Sequence, residues 1–127
     1  MQKSFTTQAE LFITNADFNH PALRGLDAAE AVLDWHKLEH LMSGIYASKT
    51  GRPSYPLLTL LRASLLGIWY RLSDVELAQT LFRDLLFRKF CHLELGGDVP
   101  DATTIGRFRA RLVEHDLWEV LLGEVNL

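Results

Sequence analysis

Leu57 to Tyr70 is apolar almost all the way round a helical wheel, with only Thr59, Arg62 and Ser64 polar. A helix that is hydrophobic on every side must be enclosed by the rest of its domain or by lipid. Lipid is excluded, because the run is shorter than the ~20 residues a bilayer requires and Arg62 interrupts it. The segment is therefore expected to be the central buried helix, with the other elements arranged to cover it. A chain of 127 residues, 48% hydrophobic, has enough material for one domain around such a helix.

The covering elements read as helices too. Residues 1–26 form an arm with at most one short helix, since Asn15, Asn19, Pro21 and Gly25 break up its apolar groups. From Asp27 to about Tyr46 a single helix is expected through Ala28, Ala31, Val32, Trp35, Leu38, Leu41 and Met42, opened by a capping box of Asp27 and Glu30. Ala47 to Pro56 is a basic loop, broken by Gly51, Pro53 and Pro56. Ser73 and Glu76 form a capping box for a helix with Leu77, Ala78, Leu81 and Phe82 inward. A short helix from Leu85 to Leu93 ends at Gly96 and Gly97, and Asp116 with Glu119 caps a last helix through Trp118, Val120, Leu121 and Leu122. No segment alternates with period two, so the fold class is all-α, a compact bundle of about six helices.

Pro100 to Leu112, PDATTIGRFRARL, stands out among them. Asp101 is placed as an N-cap, and Ile105, Phe108 and Leu112 fall on one stripe that must be buried. Thr103, Gly106, Arg107 and Ala110 lie opposite, with Thr104 and Arg111 to one side and Arg109 nearer the core boundary. Arg and Thr can bond base edges and phosphates, and Gly106 would let a DNA strand approach the helix backbone. Taken alone, the pattern fits a solvated face whose arginines pair with acids elsewhere better than it fits a DNA surface.

Charge and order of parts add to it. The net charge is −3, but residues 1–50 carry −2, residues 51–113 carry +3 and residues 114–127 carry −4. A buried helix, a capped helix, a connecting segment and an arginine-bearing helix, over residues 51–113, make an atypical helix-turn-helix with an enlarged turn. Gly51-Arg52-Pro53 has the form of an arm that can enter an A·T-rich minor groove, although by itself a plain loop explains it better.

Enzymatic readings are weaker. His36-Lys37-Leu38-Glu39-His40 matches the H-x-x-E-H pattern of zinc peptidases, yet both histidines fall near the polar side of an amphipathic helix and no third ligand is apparent. Asp98, Asp101, Glu114 and Asp116 stand where turns and caps want them. Cys91, the only cysteine, lies on an apolar face with Phe87 and Phe90 and reads as a buried structural thiol. No metal and no cofactor are expected. A lone cysteine and an N-terminus without the features of a signal peptide suit a cytoplasmic protein.

GRPSYPLLTLLRASLLGIWYRLSDVELAQTL followed by DLLFRKFCHLELGGDVPDATTIGRFRARL resembles the N-terminal domain of InsH-like bacterial insertion-sequence transposases, a group with a DDE catalytic domain downstream. The resemblance covers roughly residues 25–125. It is carried by Gly51-Arg52-Pro53, Trp69-Tyr70, Leu72-Ser73-Asp74, Phe87-Arg88 and Pro100-Asp101 through Leu112. It implies a helical domain that binds the terminal inverted repeats of the element and associates with itself or with full-length transposase in the bacterial nucleoid. Arg52, Thr103, Thr104, Arg107, Arg109 and Arg111 become the expected DNA contacts. The resemblance also places three metal-binding carboxylates in a domain beyond Leu127, so this polypeptide is expected to be a truncated, non-catalytic piece, able to act as an inhibitor. A protein–protein interaction module, with the Trp35 helix and the C-terminal helix as an oligomer surface, is the alternative.

Overall fold

A computed structural model describes residues 24–45 and 55–125. Among the described residues there are seven helices and no strand: α1 (Arg24–Val32), α2 (Trp35–Met42), α3 (Leu57–Trp69), α4 (Asp74–Arg83), α5 (Leu85–Phe90), α6 (Ala102–Glu114) and α7 (Trp118–Val125). The fold is all-α. It divides into two units, one running to Val32 and the other from Leu33 onward, so that α1 belongs to the first and α2 to α7 to the second.

In the second unit α3 is the central helix, as its composition demands. Every residue from Thr59 to Leu66 is buried, whereas the last turn, Ile68 and Trp69, and the following Tyr70 reach solvent. Leu60, Leu61 and Leu65 join Leu38 and Met42 of α2, Ile45, Phe108 and Leu112 of α6 and Leu121 of α7 in one cluster. Each fully buried leucine contributes about 1.5–3 kcal/mol relative to exposure.

The polar residues inside α3 have structural partners. Thr59 Oγ1 donates to the Cys91 carbonyl at 2.9 Å and Arg62 Nη1 to the Phe90 carbonyl at 2.9 Å. Both carbonyls lie at the C-terminal end of α5, where backbone dipoles favour donors and cations. The Arg62 guanidinium also lies 3.8 Å from the centre of the Trp35 ring and 5.2 Å from that of Phe90. Such contacts strengthen when desolvated. Ser64 donates back to Leu60 of its own helix.

Helix boundaries depart from the sequence pattern at several places. The expected helix from Asp27 to Tyr46 is two helices, because the Asp34 carboxylate accepts the Lys37 amide at 3.1 Å and starts α2 anew. Asp27 sits in the first turn of α1, which begins at Arg24, so it is not the cap. Tyr46 lies outside the described residues, as do residues 1–23 of the arm and residues 47–54 of the expected loop. The Ser73–Glu76 capping box is present with both of its hydrogen bonds, at 2.9 and 3.1 Å. Phe82 faces outward at 67% exposure, while Leu77 and Leu81 are buried. Asp84 ends α4 and also starts α5 by accepting the Leu86 and Phe87 amides.

Three helices end in the same way on residues other than glycine. Arg71, His92 and Asp116 have φ of 57, 60 and 58°, and the next amide in each case bonds five residues back: Leu72 to Gly67, Leu93 to Arg88 and Leu117 to Leu112, all at 2.8 Å. These are Schellman endings, usually the place of glycine. They explain two differences from the sequence reading. The short helix stops at Phe90 rather than Leu93, and Asp116 terminates α6 instead of capping α7.

Candidate nucleic-acid interface

The two sides of α6 are set by its start and its core stripe. Asp101 accepts the Thr104 amide at 2.8 Å. Hydrogen bonds from Thr104, with a smaller contribution from the charge of Arg107, hold its carboxyl below the usual carboxylate range. Ile105, Phe108 and Leu112 are buried, and Phe108 is among the largest fully buried side chains. The opposite side exposes Thr103, Arg107, Ala110, Val113 and Glu114. Among the described residues Arg107 makes no hydrogen bond or ion pair.

The remaining expected contacts are not equivalent. Thr104 is half-buried in the first turn. Arg109 Nη1 and Nη2 donate to Asp74 Oδ1 and Oδ2 at 3.0 and 2.6 Å. The hydrogen bond to Arg109 lowers the Asp74 carboxyl against the effect of partial burial, and the same bond raises Arg109. Gly106, expected on the outer face, is half-buried: a Cβ there would meet Asp74 Oδ2 at 3.5 Å. It faces α4, not an open side. Arg111 Nη1 reaches the Ile45 carbonyl at 3.5 Å. Arg52 lies outside the described residues.

Ile45 and Tyr55 are related to α6 in different ways. Ile45 meets Arg111 in the last turns of the helix. Tyr55 lies within the electrostatic reach of Asp98 and Asp101 at its start; burial first, then these two carboxylates, push its phenol above the usual range.

Arg88 has a structural role that its local sequence pattern does not mark. It is buried, donates from Nη1 to the Glu94 and Gly97 carbonyls at 2.7 and 2.9 Å, and from Nη2 to the Phe82 carbonyl at 3.1 Å. It therefore fastens the turn that leads into α6 to the last turn of α4. Its one sequence signal is an arginine inside an otherwise apolar stripe. Beside this turn, Ala78, Phe82, Arg83, Val99 and Pro100 are among the residues that line an open groove, and the Phe82 ring forms part of its exposed wall.

The enzymatic candidates do not converge. His36, Glu39 and His40 are exposed on α2, and among the described residues no group of three or more His, Cys, Asp or Glu could hold a metal ion. Cys91 is fully buried, and its thiol is pushed far above its usual value by burial, with Arg62 opposing. No helix among the described residues is long and apolar enough to cross a membrane. On α7, Leu121 is buried in the core and the partly buried Trp118 and Leu122 pack against it, while Val120 is exposed.

A family model described as Transposase domain (DUF772) matches residues 16–111. No solved structure matches the chain.

Proposed function

This chain belongs to the transposase-domain family matched over residues 16–111, and on that premise we propose that it is a DNA-binding domain that recognises the terminal inverted repeats of an insertion sequence. The observation that carries the reading is the division of α6: one side is locked into the core by Ile105, Phe108 and Leu112, and the other presents Thr103 and Arg107 to solvent. A helix fixed in this way can offer side chains to a major groove without rearranging.

The order of elements supports a helix-turn-helix with an enlarged turn. α3 lies behind, α4 is the first helix of the motif, α5 occupies the turn and α6 is the recognition helix. Arg107 and Thr103 are assigned to base edges, Thr104 and Arg111 to the flanks of the same contact. Arg52, which lies outside the described residues, is assigned to the adjacent minor groove or phosphates. The partner is double-stranded DNA at transposon ends, together with a second copy or full-length transposase in the bacterial cytoplasm.

Titration of the chain against labelled duplexes carrying the element ends, at two salt concentrations, tests the reading. Specific binding that weakens with salt, and that loses about 1–3 kcal/mol and its sequence preference with Arg107→Ala, is expected. Equal affinity for element ends and shuffled duplexes would overturn it in favour of a protein–protein interaction module.

A further inference from the structure

The packed stripe of Ile105, Phe108 and Leu112 sets which side of α6 faces the core. A directional polar contact can sharpen that setting further. The Asp74–Arg109 pair supplies one. Asp74 is the first residue of α4, and the capping box of Ser73 and Glu76 already satisfies that helix start without its carboxylate. The carboxylate is turned instead onto α6, where it receives both guanidinium nitrogens at 3.0 and 2.6 Å. A fork-on-fork contact fixes orientation as well as distance.

Gly106 lies beside this pair. It precedes Arg109 by one turn, and a Cβ at that position would lie 3.5 Å from Asp74 Oδ2. The carboxylate thus rests over a single turn of α6, against bare backbone on one side and the guanidinium on the other. Sliding or rotating α6 by one residue would break both contacts.

We infer that Asp74 and Arg109 are positioning residues, which set the rotation and register of α6 across the start of α4 and thereby aim Thr103 and Arg107. The inference rests on the reading of α6 as the base-contacting helix. It also gives Arg109 a different role from Arg107, since a guanidinium already held by a carboxylate adds little to the attraction for phosphates.

The test uses the full chain and two duplexes, one selected by the wild-type protein from a random library and one of the same composition in shuffled order. Asp74→Asn and Arg109→Gln are each expected to lower the ratio of the two affinities by about tenfold, and the double variant by no more than either single one, because both remove the same contact. The salt slope stays as in the wild type. Asp74→Glu, which moves the carboxylate without removing it, should fall between. If Asp74→Asn instead strengthens binding to both duplexes and Arg109→Gln flattens the salt slope, Arg109 is a phosphate contact and the positioning role is wrong. Wild-type discrimination in both single variants overturns it equally.

A second measurement separates this inference from the DNA reading beneath it. Spin labels at Gln79→Cys on α4 and Ala110→Cys on α6 report the helix crossing directly, with the buried Cys91 left in place. Asp74→Asn is expected to broaden the distance distribution. An unchanged distribution overturns the positioning role whether or not any duplex is selected. Failure of the wild type to select a duplex, with a broadened distribution in the variant, removes the DNA reading and leaves the helix-setting role standing.

Discussion

Asp74 and Arg109, 35 residues apart in the chain, meet through two hydrogen bonds that join the start of α4 to the middle of α6. The bond to Arg109 holds the Asp74 carboxyl below the usual carboxylate range. A lowered folded-state value means that the pair stabilises fully above the ordinary aspartate range, near pH 4, and that this contribution fades as pH falls through the lowered value. Both side chains are partly exposed, Asp74 at 30% and Arg109 at 39%, so solvent screening limits it to roughly 1 kcal/mol. The melting temperature of the wild type should fall more between about pH 6 and pH 3 than that of Asp74→Asn. Parallel curves by circular dichroism would show that the pair adds nothing to stability.

Phe108 and Arg107 are neighbours in sequence on opposite sides of α6. Phe108→Ala is expected to destabilise the fold by roughly 3–5 kcal/mol in urea unfolding, the usual range for a buried phenylalanine. Arg107→Ala should leave the unfolding midpoint unchanged. A large loss with Arg107→Ala would mean that the exposed stripe is part of the packing.

Gly106→Ala should stabilise the chain by about 0.5–1 kcal/mol, since an alanine within a helix restricts the unfolded state and the added methyl would meet Asp74 Oδ2 at an ordinary contact distance of 3.5 Å. Thermal unfolding reads this directly. A destabilised variant would show that α4 and α6 sit closer than that distance allows.

Arg88→Met should cost roughly 3 kcal/mol or more, because the carbonyls of Phe82, Glu94 and Gly97 lose a charged donor inside the protein. Arg88→Lys should recover only part of it, as an ammonium lacks the planar fork. Urea midpoints of the three proteins decide the matter, and equal midpoints for wild type and Arg88→Met would contradict the fastening role.

Much of the fold is legible in local pattern. The spacing of Ile105, Phe108 and Leu112 defines the buried side of α6, and Ser73 with Glu76 is a cap that depends only on residues three apart. The break at Asp34 is not legible, because the apolar spacing continues through it and only the choice of its carboxylate for the Lys37 amide ends one helix and begins another. Phe82 falls within the inward stripe of its helix, yet its ring forms part of the exposed wall of the groove beside Val99 and Pro100.

For the candidate interface the limit is different. The positive surplus of residues 51–113 suggests a basic surface, but Arg62 and Arg88 are buried on backbone carbonyls and Arg109 is held by Asp74. An arginine has the same appearance in sequence whether it faces solvent or bridges two elements. The identity of its partner, here 28 to 35 residues away for Arg62 and Arg109, is a property of the tertiary fold.

The short helix α5 has six residues, too few to persist alone. Asp84 holds its first amides, and Thr59 and Arg62 of α3 hold its last carbonyls. Its backbone amides are therefore bound to the fate of α3 and should exchange with solvent only when the whole unit opens. The segment between α4 and α6 is, in mechanical terms, built as a brace, and α6 shares the core of α3 through Phe108 and Leu112.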